Sequence, residues 1–221
     1  MNVLSPAVAA PKTNAGLEPI LKLAPVVPVM IIEDLKTAVP LARALVAGGL
    51  KALEITLRTP VALEAARLIA AEVEGAEVGI GTVLTAAQLE QCDAIGAKFA
   101  VSPGATARLL DAADSAATPL LPGSGTPSES MTLLERGYVF QKFFPAEPSG
   151  GAAYIGSLSS PLPAVRFCPT GGVTPEKAKA YLKLKNIICV GGSWMAPKHL
   201  IAAGDWAGIT ALSAEAAALG R

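Results

Sequence analysis

The sequence predicts an α/β fold, a (β/α)8 TIM barrel forming a single domain with a short N-terminal helix. Three observations carry that expectation. Short apolar runs alternate along the chain with longer Ala- and Leu-rich stretches of helical character. The runs number eight and recur at intervals of roughly 20 to 25 residues, one strand–helix unit each. The length of 221 residues suits one domain of this kind. A doubly wound open sheet would also alternate, but eight units in this length suit closure better. A solenoid would carry a repeated sequence signature, and none is present.

The elements follow in order. Residues 1–16 are rich in Ala and Pro without periodicity and read as a flexible leader; residues 17–221 read as the barrel domain. A short helix over Leu17–Leu23 ends before Pro25. The strand-like runs are Val26–Ile31, Ala52–Leu57, Glu77–Ile80, Phe99–Ser102, Pro119–Leu121, Val139–Phe143, Val165–Cys168 and Ile187–Val190. Between them lie helices over Leu35–Val46, Val61–Val73, Ala86–Ile95, Ala107–Ala113, Pro127–Arg136 and Pro175–Leu184, and a last helix spans Trp206–Leu219. Thr59-Pro60, Thr126-Pro127 and Thr174-Pro175 each place a capping hydroxyl before a proline at the first helical position. Gly48-Gly49 and Gly96 are helix stops.

Composition excludes several functions. Hydrophobic residues make up 52% and charged residues 16%, so a large core is expected and disorder is not. With 18 basic and 18 acidic residues the net charge is zero, which gives no electrostatic footprint for nucleic acid or an anionic membrane. No apolar run approaches the ~20 residues that span a bilayer, and Pro25 and Pro28 break the stretch from Ala24 to Ile32. The N-terminal stretch lacks the basic-then-apolar order of a secretory signal, so a cytoplasmic protein is expected. Cys92, Cys168 and Cys189 lie far apart without metal spacing and read as small buried apolar side chains. The single histidine, His199, has no acidic partner nearby and reads as a surface residue. No His/Asp/Glu cluster suggests a metal, and no glycine-rich dinucleotide fingerprint occurs.

Two strands break the apolar rule for strands buried on both faces. In Ala52–Arg58 the residues alternate: Leu53, Ile55 and Leu57 face the helices, while Glu54, Thr56 and Arg58 face inward. In the sixth run Lys142 shares its face with Phe140 and Phe144. Alternate strands fill the same interior layers, so Glu54 and Lys142 are placed to meet across the axis, near the strand ends that carry chemistry. Burial beside phenylalanines disfavours an ammonium ion, and a neutral amine is the usual nucleophile for a carbonyl carbon. The residues alone leave a purely structural Glu54–Lys142 ion pair equally open.

Two late glycine pairs look like anion sites. Pro169–Thr174, containing Gly171-Gly172, follows the seventh run, and Gly191-Gly192-Ser193-Trp194 follows the eighth. Backbone N–H groups at such turns, beside a helix start, suit phosphate, and these are the loops that bind it in such barrels. Gly79-Ile80-Gly81-Thr82 and Ser102-Pro103-Gly104 end strands three and four and supply small residues and a hydroxyl, as ordinary turns also would.

Taken in register, Leu53–Thr59, Gly81–Leu84, Ser102–Gly104, Lys142–Glu147, Arg166–Gly172 and Gly191–Trp194 resemble the 2-keto-3-deoxy-6-phosphogluconate (KDPG) aldolase family, from about Leu23 to the C-terminus. The resemblance implies a class I aldolase without metal or cofactor, normally a homotrimer, acting on a phosphorylated keto acid. It implies cleavage of 2-dehydro-3-deoxy-6-phosphogluconate to pyruvate and glyceraldehyde 3-phosphate, and in some relatives of 4-hydroxy-2-oxoglutarate to pyruvate and glyoxylate. By position it makes Lys142 the Schiff-base lysine and Glu54 the general acid/base. Arg58 and Thr82 become carboxylate contacts, Phe144 a pocket wall, Pro103 and Gly192 further substrate contacts, and Thr170, Gly171, Gly172 and Ser193 the phosphate end. Two departures stand out. Gln141 replaces the usual apolar residue before the lysine and, facing the helices, needs a buried partner; Ser124-Gly125 replaces a more apolar turn. Rival readings are the galactonate-series aldolase, a phosphate-binding isomerase or synthase barrel, and a non-catalytic sugar-phosphate-binding barrel.

Overall fold

The computed structural model describes Asn14 and residues 16–220, so residues 1–13 and 15 of the expected leader lie outside the described residues. Asn14 itself is buried, and its side-chain amide donates to the carbonyl of Phe140 at 2.7 Å.

The described chain is an α/β fold of parallel strands with helices between them. In order it runs α1 (Leu17–Leu21), β1 (Val26–Met30), α2 (Leu35–Ala47), β2 (Ala52–Thr56), α3 (Ala62–Glu72), β3 (Glu77–Gly81), α4 (Ala86–Ala94), β4 (Phe99–Val101) and α5 (Ala107–Ala113). Then follow β5 (Leu120–Leu121), β6 (Gly123–Ser124), α6 (Pro127–Glu135), β7 (Phe140–Phe143), α7 (Gly151–Ser157), β8 (Arg166–Pro169), α8 (Pro175–Leu182), β9 (Val190–Gly192), α9 (Lys198–Ala203) and α10 (Trp206–Ala217). Six strands form one sheet in the order β5-β4-β3-β2-β1-β9, and β6-β7-β8 form a second. Every pair is parallel. The sheets part at Pro122, which has no N–H to donate, although its carbonyl still accepts from Lys142 N at 2.9 Å. On the other side the chain at and just after β8 meets the Ile187–Gly191 segment through two isolated parallel bridges, Phe167↔Ile187 and Thr170↔Gly191.

Two apolar clusters flank the strands. Leu53, Ile55, Ile80, Phe143 and Phe167 pack outward with the helices. Val27, Ala52, Phe99, Val101, Leu121, Phe140, Cys168 and Cys189 form a separate inner cluster, which Leu17 and Leu21 of α1 join. The alternation expected for β2 is therefore present, and the short N-terminal helix contributes to the interior rather than to the helical layer.

Local signals hold at most helix starts. Thr126 and Glu129 form a complete capping box on α6, and Thr174 accepts from Lys177 N on α8. The Thr59 cap is not formed. Its hydroxyl donates to the carbonyl of Ile32 at 2.6 Å, and α3 starts later, after Val61. Two short helices, α7 and α9, were not anticipated; α7 opens on Gly150-Gly151, both with positive φ, which reads as loop. The last strand is shifted. The run Ile187–Val190 gives way to Val190–Gly192, so Gly191-Gly192 belongs to the strand rather than to a turn after it. The partner decides this, because Val26, Val27 and Pro28 of β1 stand opposite Val190, Gly191 and Gly192.

Gln141 is fully buried and satisfied. Its Nε2 donates to the carbonyls of Tyr138 at 2.9 Å and Ser130 at 3.1 Å, and its Oε1 accepts from Ser124 Oγ at 3.2 Å. Ser124 Oγ in turn accepts from Ser130 Oγ at 3.1 Å. The two departures noted in the sequence, at Gln141 and at Ser124, are thus one polar network joining β6, β7 and α6. Gln141→Leu strands Ser124's hydroxyl and two buried carbonyls, so unfolding stability in urea should fall by about 1–3 kcal/mol. Adding Ser124→Ala should recover part of the loss; strict additivity of the two changes would contradict the network.

Candidate active site

Glu54 of β2 and Lys142 of β7 point into the same interior space because each occupies the inward position of its strand. They are 3% and 2% exposed, and Lys142 Nζ donates to Glu54 Oε1 at 3.2 Å. Gly81 stands beside this pair for a steric reason: it lies opposite Thr56 in register, and a Cβ on it would overlap the Glu54 carboxylate. The Phe144 ring lies with its centroid 5.5 Å from Lys142 Nζ, a cation–π distance. Among the described residues the ammonium has this one hydrogen bond, although it carries three donors. An ion pair buried so deeply adds little to stability compared with apolar packing.

Arg58 and Thr82 meet just beyond the ends of β2 and β3. Arg58 Nε donates to Thr82 Oγ1 at 3.1 Å, and Arg58 is exposed. Thr82 has φ +61°, the one non-glycine residue with positive φ among the described residues. A β-branched residue there is strained, a condition that gathers at functional sites. Pro103 closes the neighbouring wall, its carbonyl against Gly123 at the start of β6.

The glycine turn after β8 is shaped by its backbone. Gly171 and Gly172 have φ +104° and +76°, a conformation open to glycine. The carbonyls of Thr170 and Gly171 accept from Ala146 N and Glu147 N at 2.8 and 3.1 Å. The N–H groups of Gly172 and Val173 meet no backbone acceptor among the described residues, and α8 begins immediately afterwards. Thr170 packs against Gly191, where any Cβ would overlap its Oγ1. The turn and the last strand therefore approach closely, with Gly192 and the exposed Ser193 at the strand's end. Ser193 also lines a cavity of about 210 Å³ with Met30, Ala196, Pro197 and Lys198.

Lys142, Glu54 and Phe144 are thus in direct contact, Arg58 and Thr82 form a second pair, and Thr170–Gly172 with Gly192 and Ser193 form the third region. His199 is exposed on α9. The thiols of Cys92 and Cys189 are held protonated. Burial, with Asp93 nearby, pushes Cys92 up to about 12. A hydrogen bond with Cys168, and then burial, raises Cys189 well above its ordinary value. Sequence reasoning assigned no part to Glu147, whose backbone and carboxylate both engage the glycine turn's surroundings; its place beside the Lys142–Pro145 strand end was the available signal.

The family model for KDPG and KHG aldolases matches residues 17–212. The chain belongs to this aldolase family. The 2-dehydro-3-deoxy-phosphogluconate aldolase of Dickeya dadantii is 50% identical over 207 residues, covering 94% of this chain and 96% of that protein. The crystal structure of the 2-keto-3-deoxy-6-phosphogluconate aldolase of Zymomonas mobilis with 3-phosphoglycerate superposes with a TM-score of 0.87 at 50% identity, covering 93% of this chain and 96% of that one. The KDPG aldolase of Legionella pneumophila, captured with pyruvate as a covalent carbinolamine, gives 0.89 at 43% identity, covering 94% and 100%. Against this aldolase background the strain at Thr82 is directly measurable. Thr82→Gly and Thr82→Ala both remove the hydroxyl, but alanine keeps a Cβ at positive φ. The glycine variant should be more stable by about 1 kcal/mol in chemical denaturation, the reverse of the order found in helices.

Proposed function

We infer that this chain is a class I, imine-forming aldolase that cleaves 2-dehydro-3-deoxy-6-phosphogluconate to pyruvate and D-glyceraldehyde 3-phosphate, with 4-hydroxy-2-oxoglutarate as a further substrate yielding pyruvate and glyoxylate. The observation that carries the reading is the buried Lys142–Glu54 contact beside Phe144. The activities printed for relatives near 50% identity support it.

The chemistry follows from that contact. Lys142 passes a proton to Glu54, and the neutral amine adds to the C2 ketone. Glu54 returns the proton to the carbinolamine hydroxyl, which leaves as water, and an iminium forms. The carboxylate then takes the proton of the C4 hydroxyl. The C3–C4 bond breaks with its electrons drawn into the iminium, releasing the aldehyde and leaving an enamine. Glu54 protonates C3, and water hydrolyses the new iminium to pyruvate and free Lys142. A group that both accepts and donates suits this sequence of steps. Arg58 with Thr82 would hold the pyruvyl carboxylate, Phe144 and Pro103 would wall the reacting carbons, and Thr170, Gly171, Gly172, Gly192 and Ser193 would take the phosphate. No cation lies in either glycine segment, so phosphate recognition rests on backbone donors, the Ser193 hydroxyl and the α8 dipole.

The same reading includes a closed eight-stranded barrel over residues 17–221, counting β5 and β6 as one strand interrupted at Pro122 and the bridges to Ile187 and Gly191 as the closing seam. It also includes a homotrimer in the cytoplasm, supported by the family resemblance. No helix among the described residues is long and apolar enough to cross a membrane.

Incubation with pyruvate and borohydride should trap a mass adduct on Lys142. Lys142→Arg, whose guanidinium cannot form an imine, should trap nothing and lose turnover while its circular dichroism is unchanged. Substantial activity in that variant would exclude the imine and favour a non-catalytic or imine-free barrel. Ser193→Leu should lower kcat/KM for the phosphorylated substrate while leaving pyruvate trapping nearly unchanged. Equal losses for phosphorylated and unphosphorylated substrates would remove Ser193 from the phosphate end.

A further inference from the structure

We propose that Glu147 is a positioning residue for the phosphate end: it holds the Thr170–Val173 turn in its donor conformation without touching the substrate. The inference rests on the phosphate assignment above and adds a residue outside it.

The turn connects β8 to α8, and Glu147 grips it on both flanks. On the strand side its own N–H donates to the carbonyl of Gly171 at 3.1 Å, next to the bond from Ala146 N to Thr170 O at 2.8 Å. On the helix side its carboxylate accepts from the Tyr181 hydroxyl at 2.6 Å and pairs with Lys177 at 2.7 Å, two residues one turn apart on α8. Between these grips the side-chain stem lies on Gly172, where an added Cβ would stand 2.9 Å from Glu147 Cβ. The carbonyls of Thr170 and Gly171 are thereby engaged while the N–H groups of Gly172 and Val173 meet no backbone acceptor among the described residues. That polarity is what an anion needs.

Glu147 itself is well anchored. Its carbonyl accepts from Gly150 N at 3.1 Å, and Ala146's carbonyl accepts from Gly151 N at 3.0 Å, so the segment after β7 is a closed turn. A carboxylate beside a phosphate would otherwise repel it. Here Lys177 offsets the charge and Tyr181 occupies the other oxygen. Burial raises the Glu147 carboxyl, but the hydrogen bonds from Lys177 and Tyr181 outweigh it and leave the group below its ordinary range. The carboxylate is therefore ionised at neutral pH, the form that accepts both bonds.

The test is the ratio of kcat/KM for the phosphorylated substrate to kcat/KM for 4-hydroxy-2-oxoglutarate, which has no phosphate. Glu147→Ala should lower this ratio by roughly tenfold, about one charge-assisted hydrogen bond, mainly through KM. Glu147→Gln, which keeps an acceptor for Tyr181, should restore most of it. Tyr181→Phe should give a smaller loss in the same direction, and it keeps the test open if the alanine variant fails to fold. A lower Tm with an unchanged ratio would make Glu147 a stabilising residue only and overturn the proposal, as would equal losses on both substrates. Pyruvate–borohydride trapping in the wild-type protein separates the two levels. A trapped wild type with an unchanged ratio refutes Glu147 alone; an untrapped wild type refutes the aldolase reading and this inference with it.

Discussion

The structure is organised around the burial of one ammonium and one carboxylate in the middle of an apolar interior. Taking both ions out of water costs several kcal/mol each, and their attraction offsets that only when the geometry is good. Lys142 and Glu54 obtain that geometry from two separate strands, so the strands must bring inward positions to the same height across the interior. They must also leave space around the pair, which is why a residue without a side chain stands at Gly81. The lower interior is filled by Phe99, Val101, Leu121 and Phe140, with Leu17 and Leu21 joining them. That packing separates the polar end from the apolar end.

The other parts of the candidate site lie around the pair at neighbouring strand ends. Arg58 sits two residues and Thr82 one residue beyond their strand ends, where the chain has left the sheet but has not yet entered a helix. The strained backbone at Thr82 is sustained because Val83 N is held by the Val101 carbonyl at 3.0 Å just after it. On another side of the interior the carbonyls of Thr170 and Gly171 are engaged by Ala146 N and Glu147 N, in the segment that follows Phe144. One stretch, Lys142 to Glu147, therefore contains the buried amine, the Phe144 ring beside it and the two N–H groups that hold the Thr170-Gly171 carbonyls.

The alternation in Ala52–Arg58 and around Lys142 was legible because the period of a strand is two whatever it packs against. Gln141 was legible as a demand, since a buried amide must be satisfied, but not as a solution: its partners come from α6, β6 and the loop before its own strand. The Thr126 and Thr174 caps were readable because capping is local. Thr59 misled for the opposite reason, its hydroxyl being taken by the Ile32 carbonyl from a neighbouring unit.

By itself the sequence determined the period of the chain, the inward set on two strands, the buried character of the cysteines and the residue types that can form an imine and meet an anion. These follow from local geometry and from what each side chain can do chemically. Only the tertiary structure decided where the last strand lies, because β1 selects Val190–Gly192 as its partner over the more apolar run before it. It also decided that Lys142 and Glu54 touch at 3.2 Å, that Thr82 is strained, and that Glu147 reaches α8. Those contacts join residues far apart in the chain, and their distances are set by the packing of whole strands and helices, which no local pattern records.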